Sequence, residues 1–505
     1  MPLTTRTTLP TDVPQPPSHH DEPEGDVPTV PPTVNAKPTL PSTTSAPPVV
    51  VAVVPDALPA TPSPSSNVDA ARLAQTKQAL YHSWKGYQVN AFGKDEFLPL
   101  SNTAKNWGNG NGIGVTMIDG LDTLILAGFQ KEADEVMDYI EQHISYDQDI
   151  KVSVFETSIR VLGGLLSAFQ LTGREGLKRQ AVDLGNRLMH AFNTPSGVPD
   201  NYVNLRSGHH EGAGWNGGLA ILSELGSLQM EFRALTDITG DPKYDMTAQR
   251  AIQAIRPSCG ALCPRNFRGS SGTGGNAALG SFGDSFYEYL LKYWIQVGRE
   301  SDMYKEMWDR AAEHILRTSK ATGEYLVPNG AETGMTMEHL ACFSGGLFAL
   351  SSVENRNPEH LKLAEDIANT CHAMYATTAT KLAPDVAHVG PHSISSGDPK
   401  FILRPETVET YFYLWRVTRN PKYREWGAEV LDACDRHLKV DRGYVGSTNV
   451  NVVPTPHNDM LETFWLAETL KYLLLLFSDD SALDLKEFVL NTEAHPLRIR
   501  HGGGR

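Results

Sequence analysis

Several stretches of the chain set carboxylates beside aromatic rings at helical spacing. In Phe155-Glu156-Thr157-Ser158-Ile159-Arg160 an acid and an arginine stand four apart and share one helix face. A surface salt bridge is the usual meaning of that spacing. Here, however, Glu156 follows an aromatic residue and opens a very apolar run whose Gly163 and Gly164 imply close packing. Asp284 and Glu288 repeat the spacing with two acids among Phe286, Tyr287 and Tyr289. Like charges so placed repel, which stability alone does not explain. In Arg404-Pro405-Glu406-Thr407-Val408-Glu409, Pro405 suits a first helical position, so Glu406 and Glu409 fall in or near the first turn. The helix dipole by itself accounts for acids there. Phe464 and Glu468 share a face, an apolar plate beside a carboxylate, and Asp119-Gly120-Leu121-Asp122-Thr123 reads on its own as a capping sequence. After the apolar run Phe464 to Phe477, Asn491-Thr492-Glu493-Ala494-His495-Pro496 gathers a hydroxyl, two carbonyls and a carboxylate in one turn. These are the hard oxygen donors that calcium takes; a plain solvated turn is the simpler reading of the same residues.

The elements that must position these groups are helical. Phe155, Ile159, Leu162, Leu166 and Phe169 recur at steps of four and three, as do Tyr287, Leu290, Leu291 and Trp294. Alternating, strand-like runs are few and short, as in Gly443 to Val453. Turn signals such as Thr172-Gly173-Arg174, Gly240-Asp241-Pro242, Gly298-Arg299 and Asn420-Pro421 separate the helices. They recur at roughly 60 residues, the size of a helical hairpin with its loops, which predicts about seven hairpins. Seven such hairpins close into an all-α (α/α)7 toroid; a linear solenoid needs polar capping repeats, which the ends lack. In a toroid, acids beside aromatics at one rim face a central cavity. Two opposed carboxylates there suit glycoside hydrolysis, one as acid and one as base.

Composition sets limits. Net charge is −15, spread along the chain, which argues against nucleic acid and anionic membrane surfaces as partners. Residues 1–70 hold 17 of the 33 prolines and no aromatic residue, and read as a disordered Pro/Thr/Ser-rich stem before a catalytic domain over 71–497 and a tail over 498–505. The stem's one apolar run, Val49 to Val54, is shorter than a membrane span or a leader core. The cysteines Cys259, Cys263, Cys342, Cys371 and Cys434 form no Cys-x-x-Cys pair, which argues against zinc.

From about residue 73 to 497 a series of long stretches, all in order, carries a resemblance to a known family. They are Gly93-Lys94-Asp95-Glu96, Ile118 to Leu124, Val152 to Phe169, Asp284 to Lys292, Glu338 to Gly346, Arg404 to Thr418, Glu462 to Phe477 and Asn491 to Pro496. The sequence resembles class I α-1,2-mannosidases of glycoside hydrolase family 47. The resemblance implies an (α/α)7 barrel, one Ca2+ and inverting hydrolysis of terminal α-1,2-linked mannose from high-mannose N-glycans. It implies Glu156 as general acid, directly or through a water. Glu406 would be the leading general base, with Asp284 as rival or helper. It implies the Thr492 hydroxyl and carbonyl as the direct protein ligands of calcium. Arg160, Glu224, Glu288, His339, Arg404, Glu409, Phe464, Glu468 and Glu493 match the family's pocket-lining positions, with Glu231 in a setting similar to that of Glu224. Cys342 and Cys371 match its disulfide, which implies an oxidising, secretory compartment, and the protein is expected to act as a monomer. Two departures stand out. Asp385 replaces a longer acid of the site, and Phe282 occupies a position tied to which mannose branch is trimmed. A mannose-binding quality-control lectin of the same fold is the alternative, and an α-toroid of unrelated chemistry, such as a lyase, is a more distant one.

Overall fold

The computed structural model describes residues 68–277, 279–328 and 335–501. The expected stem lies outside the described residues up to Asn67. Asp69 caps the first helix, Ala70–Ala91, its side chain accepting from the Arg72 N–H at 3.1 Å.

From there two kinds of helix alternate. Gln130–His143, Glu175–Leu188, Lys243–Ile255, Asp302–Thr318, Pro358–Ala376 and Lys422–His437 each bury one stripe and leave the other face polar. That is the pattern of a helix packed on one side only. A second set is buried nearly all round. Asp284–Gln296 keeps only Asp284 and Trp294 partly exposed, and Glu406 through Trp415 are buried without a break. A helix apolar on every face must lie inside.

The inner set is Leu121–Ala127, Gly163–Thr172, Gln229–Thr239, Asp284–Gln296, Phe343–Glu354, Glu406–Thr418 and Leu470–Phe477. Each touches the next, and Leu470–Phe477 comes back to touch Leu121–Ala127. Among the described residues this is a closed ring of seven inner helices inside seven outer ones, the (α/α)7 barrel. Six inner helices are each followed by an outer one that returns beside it, and the seventh outer helix, Ala70–Ala91, packs against Leu470–Phe477, so the inner helices run parallel and begin at one rim. Closure is also bonded: Trp465 Nε1 donates to Ser83 Oγ at 2.9 Å, and the Asp69 N–H to the Phe477 carbonyl at 2.9 Å.

Strands of two to six residues make small antiparallel sheets in the connections. Strands this short leave alternation no room to show in the sequence. Three of them feed the site: Lys151–Ser153 runs towards Glu156, Ala220–Ile221 towards Glu224, and Thr336–Glu338 into His339. A last hairpin pairs Phe488–Leu490 with Pro496–Arg498 and packs on three inner helices. It plugs the ring, and its turn spans Asn491–His495. Beyond it, the Ile499 N–H donates to the Glu487 carbonyl and the Arg500 N–H to the Gln296 carbonyl, both at 2.8 Å.

Gly163 is where plug and ring meet. A Cβ there would lie 2.8 Å from Asn491 Nδ2 and from His495 Cδ2, and one at Gly164 would lie 2.6 Å from the Ile118 carbonyl. Gly163 is a clearance for the hairpin and Gly164 for the backbone at Ile118, the close packing that their setting in an apolar run implied. Cys342 is bonded to Cys371 and Cys259 to Cys263, while Cys434 is a buried thiol. Among the described residues no helix is long and apolar enough to cross a membrane.

Candidate active site

The first turns of two inner helices carry Asp284 and Glu406 with Glu409, and the short helical segments that lead into three others carry Glu156, Glu224 and Glu468. Unpaired N–H groups and the helix dipole make such a rim hospitable to negative charge.

On one wall, a short turn Val154–Glu156 passes into a π-helical stretch, Thr157–Leu162. Ser153 caps it, its hydroxyl accepting from the Glu156 N–H at 3.2 Å. The wider π turn is a common feature of functional sites. Arg160 Nε donates to Glu156 Oε2 at 2.8 Å; its Nη1 donates to Thr463 Oγ1 at 3.2 Å and to Glu493, and stands 3.6 Å from Asp119 Oδ2. Its guanidinium lies 5.7 Å from the centre of the Phe464 ring. The pairing of Glu156 with Arg160 is therefore not a surface salt bridge but a strap between wall and plug. The Glu156 side chain keeps 25% exposure to the cavity. Nearby, Glu224 accepts from Asn201 Nδ2 at 2.5 Å, and burial lifts its pKa to about 7, with Glu156 pushing further. Burial also lifts Glu462 to about 7 against the pull of Arg160.

On the other wall, Glu406 opens its helix. His339 Nδ1 stands 2.7 Å from Glu406 Oε2, and His339 Nε2 lies 2.8 Å from the Tyr375 hydroxyl and 3.3 Å from Thr407 Oγ1. A carboxylate only accepts, so Nδ1 carries the proton and the hydroxyls serve Nε2. Arg404 Nη1 lies 3.8 Å from Glu406 Oε1, and its Nε donates to Asp385 Oδ1 at 2.5 Å. Burial pushes Asp385 up, but Arg404 more than offsets it and holds the group below the usual range. Asp385, short as it is, still reaches and orients that arginine. Asp284 rises to about 7, first through burial and then through Glu338, Glu288 and Glu406.

Asp284 and Glu288 do repel, as their spacing implied, and Glu288 also has a cation of its own. Lys292, one turn on, takes up Glu288 and stands 3.5 Å from Glu409, whose other partner is the Tyr472 hydroxyl at 3.1 Å. Burial still lifts Glu409 to about 8.

The floor is the plug. Asn491 closes its own turn, its Oδ1 accepting from the N–H groups of Glu493 at 3.0 Å and His495 at 2.7 Å. Its Nδ2 donates to the Ile159 carbonyl at 3.0 Å and to Glu231 at 2.7 Å. Thr492 is half-buried at the tip, its N–H 3.4 Å from the Tyr289 hydroxyl. Burial pushes Glu493 and Glu468 well above the usual range, and each raises the other or is raised by further acids. Below, His495 bridges Asp122 at 2.8 Å and Asp119 at 3.1 Å, and Lys471 lies 2.7 Å from Asp122 and donates to the Ala494 carbonyl at 2.8 Å. The reading of Asp119 and Asp122 as mere helix caps is thereby overturned: Gly120 is the cap residue, and both carboxylates are fully buried against the plug. Glu231, weighed beside Glu224 for one pocket position, belongs to this floor with Tyr289 and Asn491; Glu224 belongs to the wall.

A family model described as glycosyl hydrolase family 47 matches residues 79–499. The chain belongs to glycosyl hydrolase family 47. Among family relatives, it is 41% identical over 451 residues to mannosyl-oligosaccharide alpha-1,2-mannosidase IA of Drosophila melanogaster, covering 85% of this chain and 67% of that protein. It is 39% identical over 456 residues to mannosyl-oligosaccharide 1,2-alpha-mannosidase MNS1 of Arabidopsis thaliana, covering 86% and 80%. In structure it matches the family 47 fold of the alpha-1,2-mannosidase from Trichoderma reesei with a TM-score of 0.80 at 30% identity, over 86% of this chain and 100% of that one.

Proposed function

We propose that this chain is a calcium-dependent mannosyl-oligosaccharide 1,2-α-mannosidase that removes terminal α-1,2-linked mannose from high-mannose N-glycans with inversion. The observation that carries it is the pair of walls: Glu156 strapped by Arg160 on one side, Glu406 held by His339 and Arg404 on the other, over the Thr492 turn.

Glu406 takes the proton of a water that attacks C1 of the terminal mannose. Glu156 delivers a proton to the glycosidic oxygen, directly or through a water. The C1–O bond breaks as the new C1–OH forms on the opposite face. An inverting pair needs roughly 6.5–9.5 Å between carboxyls to admit that water. Asp284 is half protonated near neutral pH and suits a helper that hydrogen-bonds the water or a sugar hydroxyl. Phe464 offers an apolar face for the ring.

A hard divalent cation fits the donor set. Among the described residues no three His, Cys, Asp or Glu side chains converge on one metal position. The fit is instead to neutral oxygens, the Thr492 hydroxyl and carbonyl with water, and to the buried carboxyls Glu468 and Glu493 beyond them, whose pKa burial raises and a bound cation would lower. When bound, calcium supplies positive charge that orients sugar hydroxyls. The two disulfides fit an oxidising secretory compartment.

The test is mannose release from a nine-mannose N-glycan, with calcium and then with a chelator, while NMR follows the anomer formed. Calcium-dependent release of β-mannose from α-1,2 linkages is the expected result. Binding without release would overturn the hydrolytic reading, and α-mannose as first product would overturn inversion.

A further inference from the structure

Glu462 is a half-buried acid of the cavity to which the mechanism above gives no task. Glu156, Glu224, Glu406 and Glu409 each have a side chain that bonds them, namely Arg160, Asn201, His339 and Tyr472. Among the described residues nothing donates a hydrogen bond to the Glu462 carboxyl. Burial raises its pKa, and the charges that act on it are Arg160, Glu96, Arg404 and Glu156, in that order. It therefore stands between the two walls. A carboxyl so placed takes its donor from a ligand or from water.

Its backbone is pinned on both sides. Before it, the Leu461 N–H donates to the Phe97 carbonyl at 3.0 Å, and the two residues form an antiparallel bridge with both side chains fully buried. The next residues along, Glu96 and Glu462, therefore stand opposite each other on the other face of that bridge. After it, Thr463 accepts from Arg160, and Phe464 lies beside the same guanidinium. Glu96 is held in turn. Its Oε1 accepts from Trp107 Nε1 at 2.9 Å, and the Trp107 N–H donates to Asp95 Oδ2 at 2.8 Å. Asp95 Oδ1 gathers the N–H groups of Ile113 and Gly114, both at 2.7 Å, which fixes the loop. The strand Glu96–Leu98 follows the outer helix Ala70–Ala91. Phe464, Glu462 and Glu96 thus form a row from the cavity outward, with Trp107 behind its outer end.

We infer that Glu462, with Glu96 beside it and Trp107 holding Glu96 in place, binds the hydroxyls of the departing sugar, the pyranose whose oxygen Glu156 protonates. The inference rests on the hydrolytic reading above. The terminal ring sits on the floor, at Phe464 and the Thr492 turn. Glu156 meets the glycosidic oxygen on the outer side of that ring, so the departing ring lies further out, along Glu462 and Glu96. Carboxyl oxygens accept from sugar hydroxyls, and two carboxyls opposite each other on one face match two neighbouring hydroxyls. Such contacts act on a two-ring ligand and leave a one-ring ligand untouched.

The experiment is calorimetric titration, with calcium present, of wild type, Glu462→Ala and Glu462→Gln. The probes are thio-linked α-1,2-mannobiose, which resists cleavage, and deoxymannojirimycin, a one-ring mannose mimic. Glu462→Ala weakens the two-ring probe about tenfold and leaves the one-ring probe within about twofold of wild type. Glu462→Gln, which keeps an oxygen acceptor at the same place, recovers most of the loss. Equal weakening of both probes, weakening of neither, or no binding of the two-ring probe by wild type overturns the subsite. If Glu462→Ala does not fold, Trp107→Phe decides, since it frees Glu96 from its indole: a loss of about threefold on the two-ring probe alone supports the subsite, and no such difference overturns it. Mannose release from α-1,2-mannobiose by wild type tests the hydrolytic reading separately, because neither titration depends on turnover.

Discussion

Glu156 and Glu406 face one cavity from helices of different build. Glu406 stands at the start of a regular α-helix, held by an imidazole that is itself fixed by Tyr375 and Thr407. Glu156 stands where an α turn widens into a π turn, held by one arginine shared with Glu493 and Asp119. The first wall is set by hydrogen bonds that run through His339 to Thr407 and to Tyr375 of an outer helix, with Arg404 3.8 Å from Glu406 Oε1. The second is set by charge, and reaches the far end of the chain. The contrast fits the roles proposed above, a base held in one place and an acid whose partner also carries the floor.

The largest effect should come from Glu406→Gln. Loss of a positioned base lowers kcat by roughly 10²–10⁴-fold, while calorimetry shows glycan binding intact; near-normal turnover would remove Glu406 from the mechanism. Arg160→Ala should mark the charged wall. It leaves Glu493 and Asp119 buried without their cation, which destabilises by about 3–5 kcal/mol in chemical denaturation. His339→Gln should instead leave stability within about 1–3 kcal/mol of wild type and act on kcat. Similar stability losses in the two variants would erase the distinction between the walls.

A smaller effect follows from the acids lifted by burial. Glu224, Glu231 and Glu462 ordinarily titrate at 4.5 and here at about 7. Between those values the folded chain holds protons that the unfolded chain has released, so stability falls as pH rises through that window. With calcium chelated, the melting temperature at pH 7.5 should lie several degrees below that at pH 5, and added calcium should narrow the gap. A rising melting temperature over that range would contradict the assignment. The disulfides report on loop closure, and Cys342–Cys371 borders the Glu406 wall, the Cys342 N–H donating to the His339 carbonyl at 2.9 Å. Opening Cys342–Cys371, which spans 29 residues, should destabilise by about 3–4 kcal/mol, and opening Cys259–Cys263, which spans 4, by about 2 kcal/mol. Both are read by denaturation, and opening Cys259–Cys263 should leave catalysis on α-1,2-mannobiose unaffected.

Much of this was legible because acids beside aromatics at the starts of apolar helices are unusual enough to notice, and helical period and turn spacing foretell the ring. The partners were harder. His495 meets Asp122 and Asp119 across 373 and 376 residues, and no local pattern carries such a contact. Lys292 was in plain view, four residues after Glu288, and the i,i+4 rule that flagged two acids would have found it. Asn201 and Asn491 gave no signal, since one amide among many says nothing until its neighbours are known. The π turns at Arg160 and Glu468 leave no mark in residue type.

The hairpin that bears Thr492 and Glu493 leaves the ribosome after every inner helix. The ring cannot close earlier either, because Ser83 waits for Trp465 across 382 residues. At cellular rates of synthesis that wait lasts tens of seconds. Throughout it, the inner helices already made hold apolar faces with no neighbour and carboxylates with no floor. Ring closure and plugging therefore come late and close together, and a nascent chain stopped before Asn491 has neither the turn that bears Thr492 and Glu493 nor the His495 that joins Asp119 to Asp122.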